Sequence, residues 1–375
     1  MPLRPVPQAL RALGAALLGT CVLLAVPQEK AKAPATRAKA AVQEPGKNLK
    51  VFKGQGLDDE ALDGAMDYMG AALGVSCAHC HVRDEAKQTW AFDRDDKPAK
   101  EVARRMVLMT RALNKAHFKG EEAITCASCH HGQAKPETIP PLPVPGAPRP
   151  AAAVAAKPRE LPTLDALLTA WVEGSGGREA LAKLSTRVAK GTQDMGGGRT
   201  QALEVVHAAP GRMVSTSTSA RGTFRLGFDG TAGWAARNGK VNALEGAPLV
   251  QARFDADLAL PLHLQTHYPS LTVAGRDQID GREVIAVAAK APGGPATTFY
   301  FDAETGLLTR RLAFTRTPLG QLVHETTWQD YRAVDGVKVP FKVIARGPHN
   351  ASVTTFSEIT AGAPVEEGIF RMPKP

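Results

Sequence analysis

Two short cysteine motifs are the residues of this chain best suited to chemistry. Residues 77–81 read CAHCH and residues 126–130 read CASCH, two copies of Cys-x-x-Cys-His. This pattern is the attachment signature of c-type haem, because two thiols three residues apart can both reach the vinyl groups of one porphyrin, and the next histidine is then held beneath the iron. The motifs therefore predict two covalently bound haem c groups. The predicted thioether residues are Cys77, Cys80, Cys126 and Cys129, and the predicted axial ligands are His81 and His130.

Two other readings of the cysteine pairs are open. Paired Cys-x-x-Cys motifs also bind zinc, and a single pair can act as a redox-active dithiol. The chain has five cysteines, four of them in the two motifs, which excludes a disulfide scaffold. The histidine that follows each pair favours haem over both alternatives.

The sixth iron ligand would decide what each haem does. Met66 and Met69 lie 11 and 8 residues before the first motif, and Met106 and Met109 lie 20 and 17 residues before the second. Methionine ligation raises the potential relative to histidine, although methionine also fills ordinary cores. We expect Met66 and Met106 to be ligands, with Met69 and Met109 as alternates. His117 offers a bis-histidine alternative, and an open sixth position would allow ligand binding or peroxide chemistry.

An amphipathic helix is predicted ahead of each motif. The first carries apolar residues at helical spacing, and Gly74 fits a left-handed stop at its end. The second is expected to begin near Pro98. The predicted apolar faces are Leu62, Ala65, Met66, Met69 and Leu73 in the first helix, and Val102, Met106, Met109 and Leu113 in the second.

The chain divides into five segments by composition. Residues 1–33, with a basic start and an apolar run up to Val26, are typical of a secretory signal. A retained membrane anchor is the alternative, and Cys21 offers a weaker lipidation site, so the exported protein is either free in the periplasm or tethered to a membrane. Residues 34–46 form a flexible lead, residues 47–133 form what we call the cysteine module, residues 134–160 form a Pro- and Ala-rich linker, and residues 161–375 form the β-domain. The net charge of +9 is spread along the chain, so nothing indicates nucleic-acid binding.

The β-domain is predicted to be an antiparallel sheet. Helices are expected at residues 164–171 and 178–184, a helical excursion at 247–268, and nine or ten strands elsewhere, which suggests a barrel or a strongly curved sheet. His263 and His267 are four residues apart, but without an acidic partner they do not indicate a metal site. The predicted fold class is multidomain, with a mainly α two-haem module and a C-terminal antiparallel β half-barrel of α+β type.

Two family resemblances follow from these segments. Residues 49–132, through Met66-Asp-Tyr-Met-Gly-Ala-Ala-Leu-Gly-Val-Ser-Cys77, Ala103-Arg-Arg-Met106 and Ile124-Thr-Cys126, resemble the cytochrome c subunit of photosynthetic reaction centres. That resemblance implies a methionine on the preceding helix as distal ligand, which favours Met66 and Met106. The photosynthetic subunit typically has four haems, whereas this chain has two motifs, so photosynthesis is not implied.

The β-domain resembles the half-barrel of bacterial lipoprotein-carrier proteins. The resemblance rests on Phe301-Asp-Ala-Glu-Thr-Gly306 and Asp330-Tyr-Arg-Ala-Val-Asp-Gly-Val337, and implies a site for a lipid or other apolar ligand; a docking module with a filled interior is the alternative.

The expected function is periplasmic single-electron transfer by a carrier that is not an enzyme. Redox proteins, and a lipid or a quinone-linked membrane complex, are the expected partners. The alternatives are a two-haem peroxidase and a lipid-binding protein with redox-sensing haems.

Overall fold

The computed structural model describes residues 47–86, 89–138, 160–220, 222–348 and 350–374. All of these belong to one compact unit, Gln43–Pro375, whereas the other unit, Met1–Val42, lies outside the described residues. The predicted signal segment with Cys21, the flexible lead and linker residues 139–159 are therefore not described. Every statement below concerns the described ranges.

The cysteine module is built from three helices and a small hairpin. Helix α1 (Asp59–Leu73) begins where the Asp58 side chain accepts a hydrogen bond from the Ala61 amide, and it ends at Gly74 in the left-handed conformation, as predicted. Strands β1 (Val82–Asp84) and β2 (Thr89–Ala91) pair antiparallel. Helix α2 (Pro98–His117) begins at the predicted proline, and α3 (Ala127–His130) is a single turn.

The β-domain begins with two helices that were both predicted, α4 (Leu164–Gly174) and α5 (Arg178–Ala182). Six strands follow: β3 (Thr186–Asp194), β4 (Thr200–Ala208), β5 (Arg212–Ser219), β6 (Gly222–Phe228), β7 (Gly233–Arg237) and β8 (Lys240–Leu244). Two helices then form the predicted excursion, α6 (Gly246–Ala256) and α7 (Leu260–His267). The last strands are β9 (Ser270–Ile279), β10 (Arg282–Lys290), β11 (Ala296–Asp302), β12 (Leu308–Thr317), β13 (Gly320–Val334), β14 (Val337–Arg346) and β15 (Ala351–Ala361).

These thirteen strands form one antiparallel sheet in the order β8-β7-β6-β5-β4-β3-β15-β14-β13-β12-β11-β10-β9. The sequence prediction of nine or ten strands was therefore too low. Strands such as β5, which reads RMVSTSTS, alternate Ser and Thr instead of apolar and polar residues, and so give no half-buried pattern.

The sheet curves around helix α6. Phe228 on β6 and Phe299 on β11 are eight strand spacings apart, about 38 Å along a flat sheet. Yet Phe228 clusters with Ala252 and Ala256 of α6, and Phe299 stacks on Phe254 between them, with ring centroids 5.7 Å apart. Because α6 is only about 16 Å long, the two halves of the sheet must face each other across it, which agrees with the predicted strongly curved sheet.

Helix α1 of the cysteine module packs on the β-domain. It contacts β12 and β13, and Leu319 and Leu322 of that hairpin share one buried cluster with Ala65 and Tyr68 of α1 and with Cys126. The core of the cysteine module is therefore completed by residues more than 180 positions further along the chain.

Candidate functional site

The second cysteine motif is fixed from both sides. On one side, the buried Asn114 of α2 donates to the Ile124 carbonyl oxygen at 2.7 Å and accepts from the Ile124 amide at 2.8 Å. On the other side, the Gly132 amide donates to the Ala72 carbonyl oxygen of α1 at 2.9 Å. A Cβ on Gly74 would lie 2.0 Å from the Gly132 oxygen, so this close approach requires glycine.

His130 is oriented for metal ligation. Its Nδ1 lies 2.8 Å from the Gln133 carbonyl oxygen. A carbonyl can only accept, so Nδ1 carries the proton and Nε2 keeps its lone pair for a metal. This is the arrangement that an axial histidine needs.

The first motif lies beside the N-terminal part of α2. Cys77–His79 form a 3₁₀ turn, and Lys97 Nζ donates to the Ala78 carbonyl oxygen. The His81 ring packs edge-on against Phe92 with centroids 5.0 Å apart, and its Nδ1 is buried without a hydrogen-bond partner. Burial, with a smaller contribution from the charge of Lys100, lowers the pKa of His81. The imidazole is therefore held neutral, which is the form that binds metals.

All four motif cysteines are free thiols. Burial raises the pKa of the Cys80 and Cys126 thiols, so both are uncharged at neutral pH. Among the described residues, no three His, Cys, Asp or Glu side chains are arranged to hold a metal ion. Two free thiols followed by a histidine in each motif fit the attachment of haem.

The methionine positions differ between the two helices. Met66 and Met69 are half-buried and pack against the cluster that contains Cys126. Met106 is half-buried on α2, whereas Met109 is 41 % exposed. The apolar stripe predicted on α2 is largely open, with Val102 and Leu113 also exposed. His117 is exposed at the end of the same helix. The choice among these distal ligands stays a prediction.

Helix α2 buries polar residues instead, around a hub at Asp95 that the sequence did not indicate. The Asp95 carboxylate accepts from Asn48 at 3.0 Å and pairs with Lys50 at 2.9 Å, Lys100 at 3.0 Å and Arg104 at 2.9 Å. These hydrogen bonds, that of Arg104 first, lower the pKa of Asp95 well below its usual range. The hub ties residues 48–50 to the start of α2, because the buried Lys100 and Arg104 reach the same carboxylate.

The histidine pair of α7 has an acidic partner after all. His263 Nδ1 lies 2.9 Å and His267 Nε2 lies 2.7 Å from the same Asp257 oxygen. The expectation that no acid lies nearby was therefore wrong, since Asp257 follows α6 and precedes the helix that carries both histidines. The Asp257 pKa is lowered by its hydrogen bonds to these rings, against the effect of burial.

The family comparison bears on the cysteine module. The family model described as photosynthetic reaction centre cytochrome C subunit matches residues 24–170. This range contains both cysteine motifs and both methionine-bearing helices, and it confirms the first resemblance expected from the sequence. None of the curated proteins matches the chain.

Solved structures resemble the β-domain. An outer membrane lipoprotein-sorting protein domain from Vibrio parahaemolyticus is 10% identical, with 50% of this chain and 89% of that chain covered and a TM-score of 0.39. A LolA superfamily protein from Nitrosomonas europaea is 11% identical, with 53% and 95% covered and a TM-score of 0.39.

None of the helices in the described ranges is both long enough and apolar enough to cross a membrane.

Proposed function

We propose that this chain is a periplasmic c-type cytochrome that passes single electrons through two covalently bound haems. The observation that carries the proposal is the His130 side chain, whose Nδ1 bonds the Gln133 carbonyl oxygen beside the free thiols of Cys126 and Cys129. A bound haem supplies a one-electron centre whose potential depends on its axial ligands and on burial. The partners are redox proteins, reached from the open side of α2.

The residues of the chain hold and shield the two centres. His81 provides a neutral imidazole, and the Nδ1 of His130 is bonded so that its Nε2 is left for the iron. The hydrogen bonds between Asn114 and Ile124 fix the segment that carries Cys126. The open stripe of Val102, Met106, Met109 and Leu113 on α2 supplies the apolar cover that a porphyrin face needs. We propose Met66 and Met106 as distal ligands on these grounds.

We further propose that the β-domain binds an apolar ligand between helix α6 and the curved sheet. Helix α6 fills the space between the two facing halves of the sheet, and no side chain caps its N-terminal end. A helix without an N-terminal side-chain cap is less stable than a capped one. The wall under Phe254 is aromatic, with Tyr268, Phe299 and Trp328 around it.

Mass spectrometry and a potential-controlled spectral titration of the exported full-length protein test the electron-transfer proposal. We expect the mass of two haems, low-spin spectra and no response to carbon monoxide. Cys126→Ala with Cys129→Ala should remove one haem and leave the other, and Cys77→Ala with Cys80→Ala should do the converse. A chain without added haem mass would refute the proposal, and rapid carbon monoxide binding at one iron would favour a peroxidase.

Replacement of the methionines tests the distal ligands. Met66→Ala should lower the potential of one haem and open its iron to carbon monoxide. Met69→Ala, a neighbour on the same half-buried face of α1, is the matched control and should leave the potential nearly unchanged. If the two variants exchange these results, Met69 is the ligand.

A further inference from the structure

A buried arginine lies beneath helix α6. Arg311 on β12 is only 5% exposed. Its Nη2 donates to Thr326 Oγ1 at 3.3 Å, but Nε and Nη1 have no hydrogen-bond partner. Because an unpaired buried cation is costly, most buried guanidinium groups are paired with carboxylates, and Arg311 is a departure from that rule.

The face of a phenyl ring stands where an anion would be expected. The guanidinium carbon of Arg311 lies 5.0 Å from the ring centroid of Phe254 on α6. A cation over an aromatic face is attracted by the ring electrons, but the ring gives none of the hydrogen bonds that Nε and Nη1 lack. Phe254 therefore covers the arginine without satisfying it.

The charges around Arg311 leave room for an added anion. Asp255 of α6 is an acidic group in electrostatic range, but its carboxylate accepts a hydrogen bond from Gln251 at 2.6 Å and none from Arg311. Tyr268, behind the ring, and His324 on β13 also feel the arginine charge. Burial first, and then Arg311, lowers the pKa of His324, so this histidine adds no second cation near neutral pH.

The wall that holds Phe254 beside the arginine is apolar. Phe254, Tyr268, Phe299 and Trp328 belong to or pack on one hydrophobic cluster of the β-domain. A small inorganic anion would gain nothing from this wall, whereas a molecule with one anionic head and a long apolar body would use both the wall and the charge.

We propose that Arg311 binds the anionic headgroup, a carboxylate or a phosphate, of a single-chain amphiphile whose apolar chain replaces Phe254 against the aromatic wall. The inference rests on the proposed binding of an apolar ligand by the β-domain, and it adds the class of ligand. Helix α6 acts as a lid: as it moves away, the headgroup oxygens accept from Nε and Nη1 of Arg311.

The experiment compares charged and neutral probes on the full-length protein with its haems. Binding of oleate, oleoyl lysophosphatidic acid and oleyl alcohol is measured by calorimetry and native mass spectrometry. We expect the anions to bind about tenfold or more tightly than the alcohol. The tighter of the two anions identifies carboxylate or phosphate as the headgroup.

Substitutions test whether the charge of Arg311 causes the preference for anionic probes. Arg311→Met should reduce the preference for anions to about one, and Arg311→Lys should restore part of it. Arg310→Met is the matched control, because the next residue of a strand points to the opposite face and Arg310 lies near Glu325, with Nε 3.6 Å from its carboxylate; its preference should match wild type.

The outcomes separate the two proposals. Equal binding of oleate and oleyl alcohol by the wild-type protein would overturn the role of Arg311 and leave the apolar-ligand proposal standing, and this comparison needs no variant to fold. No binding of any probe would overturn both. Loss of the preference in Arg310→Met as well as in Arg311→Met would assign it to net charge instead of to the buried site.

Discussion

The cysteine module and the β-domain are stabilised in different ways. The β-domain has thirteen strands that each pair with their neighbours, and an aromatic core in which Phe299 and Phe301 are fully buried. In the cysteine module, helix α2 leaves most of its apolar stripe open and buries Lys100 and Arg104 around Asp95. The β-domain has a large apolar core of its own, whereas the cysteine module depends on a polar hub, on a hairpin of the β-domain and on the proposed haems.

The largest expected difference in stability is between two Phe→Ala substitutions, one in each region. Phe299→Ala should lower the free energy of unfolding by about 3–5 kcal/mol, because it opens a cavity in a packed core. Phe92→Ala, at a side chain that is 48% exposed, should cost less than about 1 kcal/mol. Chemical denaturation followed by circular dichroism measures both. Similar losses would mean that the two cores are equally packed.

The contact between helix α1 and the β-domain can be tested at Gly320, the first residue of β13. Its φ is +149°, and a Cβ there would lie 2.5 Å from the Tyr68 ring of α1. Gly320→Ala should therefore cost about 2–3 kcal/mol and shift the potential of the proposed haem at Cys126, since Tyr68 and Cys126 share one buried cluster.

Gly281→Ala is the control for that experiment. Gly281 also has a positive φ, +79°, but nothing lies within 4 Å of its added Cβ. In this variant the free energy of unfolding should fall only by the cost of placing alanine at a positive φ. Both haem potentials should stay unchanged. A potential shift of equal size in the two variants would show that the α1 contact does not act on the second motif.

The third expected effect is a pH dependence of folding stability that arises from a residue of the β-domain. His207 on β4 is buried and donates from Nε2 to the Asp255 carbonyl oxygen of α6 at 3.0 Å. Burial first, and then the charge of Arg187, lowers the pKa of His207 to about 3. Because the folded-state pKa lies below the unfolded value of about 6.5, stability is fully present above pH 6.5 and is lost as the pH falls toward 3.

This linkage predicts a loss of about 2 kcal/mol between pH 6.5 and pH 5 from His207 alone. In His207→Gln, which can still donate to the Asp255 carbonyl, the loss over that interval should be smaller by about the same amount. Denaturation of both proteins at the two pH values measures the difference. An unchanged loss in the variant would assign the acid sensitivity to other groups.

Local patterns predicted local structure well in both regions. The start of α2 at Pro98, the end of α1 at Gly74 and the helical excursion before β9 all follow from periodicity and from end signals within a few residues. The contacts of Tyr68 with Gly320 and of Phe254 with Arg311 were not foreseen, because they join residues 252 and 57 positions apart. No periodic pattern connects such pairs.

The same contrast between local patterns and long-range contacts applies to the candidate site. The types and spacing of the cysteines and histidines identified the motifs, since attachment needs both within five residues. The clamp at Asn114 and the hub at Asp95 depend on how α2 lies against the rest of the module, and a lone Asn or a short acidic run has many other uses. Helix packing therefore decides which of the polar residues serve the site.

The smallest effect is expected at the exposed hub of the cysteine module. Asp95→Asn removes one carboxylate that pairs with Lys50, Lys100 and Arg104. The pKa of Asp95 is depressed in the folded protein, so its contribution is present above the unfolded value of about 3.9 and is lost as the pH falls further. The variant should have a lower thermal midpoint than wild type at pH 7, and the difference should narrow as the pH falls below about 3.9. Asp96→Asn, which breaks only the local pair with Arg94, should shift the midpoint less. If both variants behave alike at pH 7, the hub does not hold residues 48–50 to α2, and the cysteine module must depend chiefly on the hairpin and the haems.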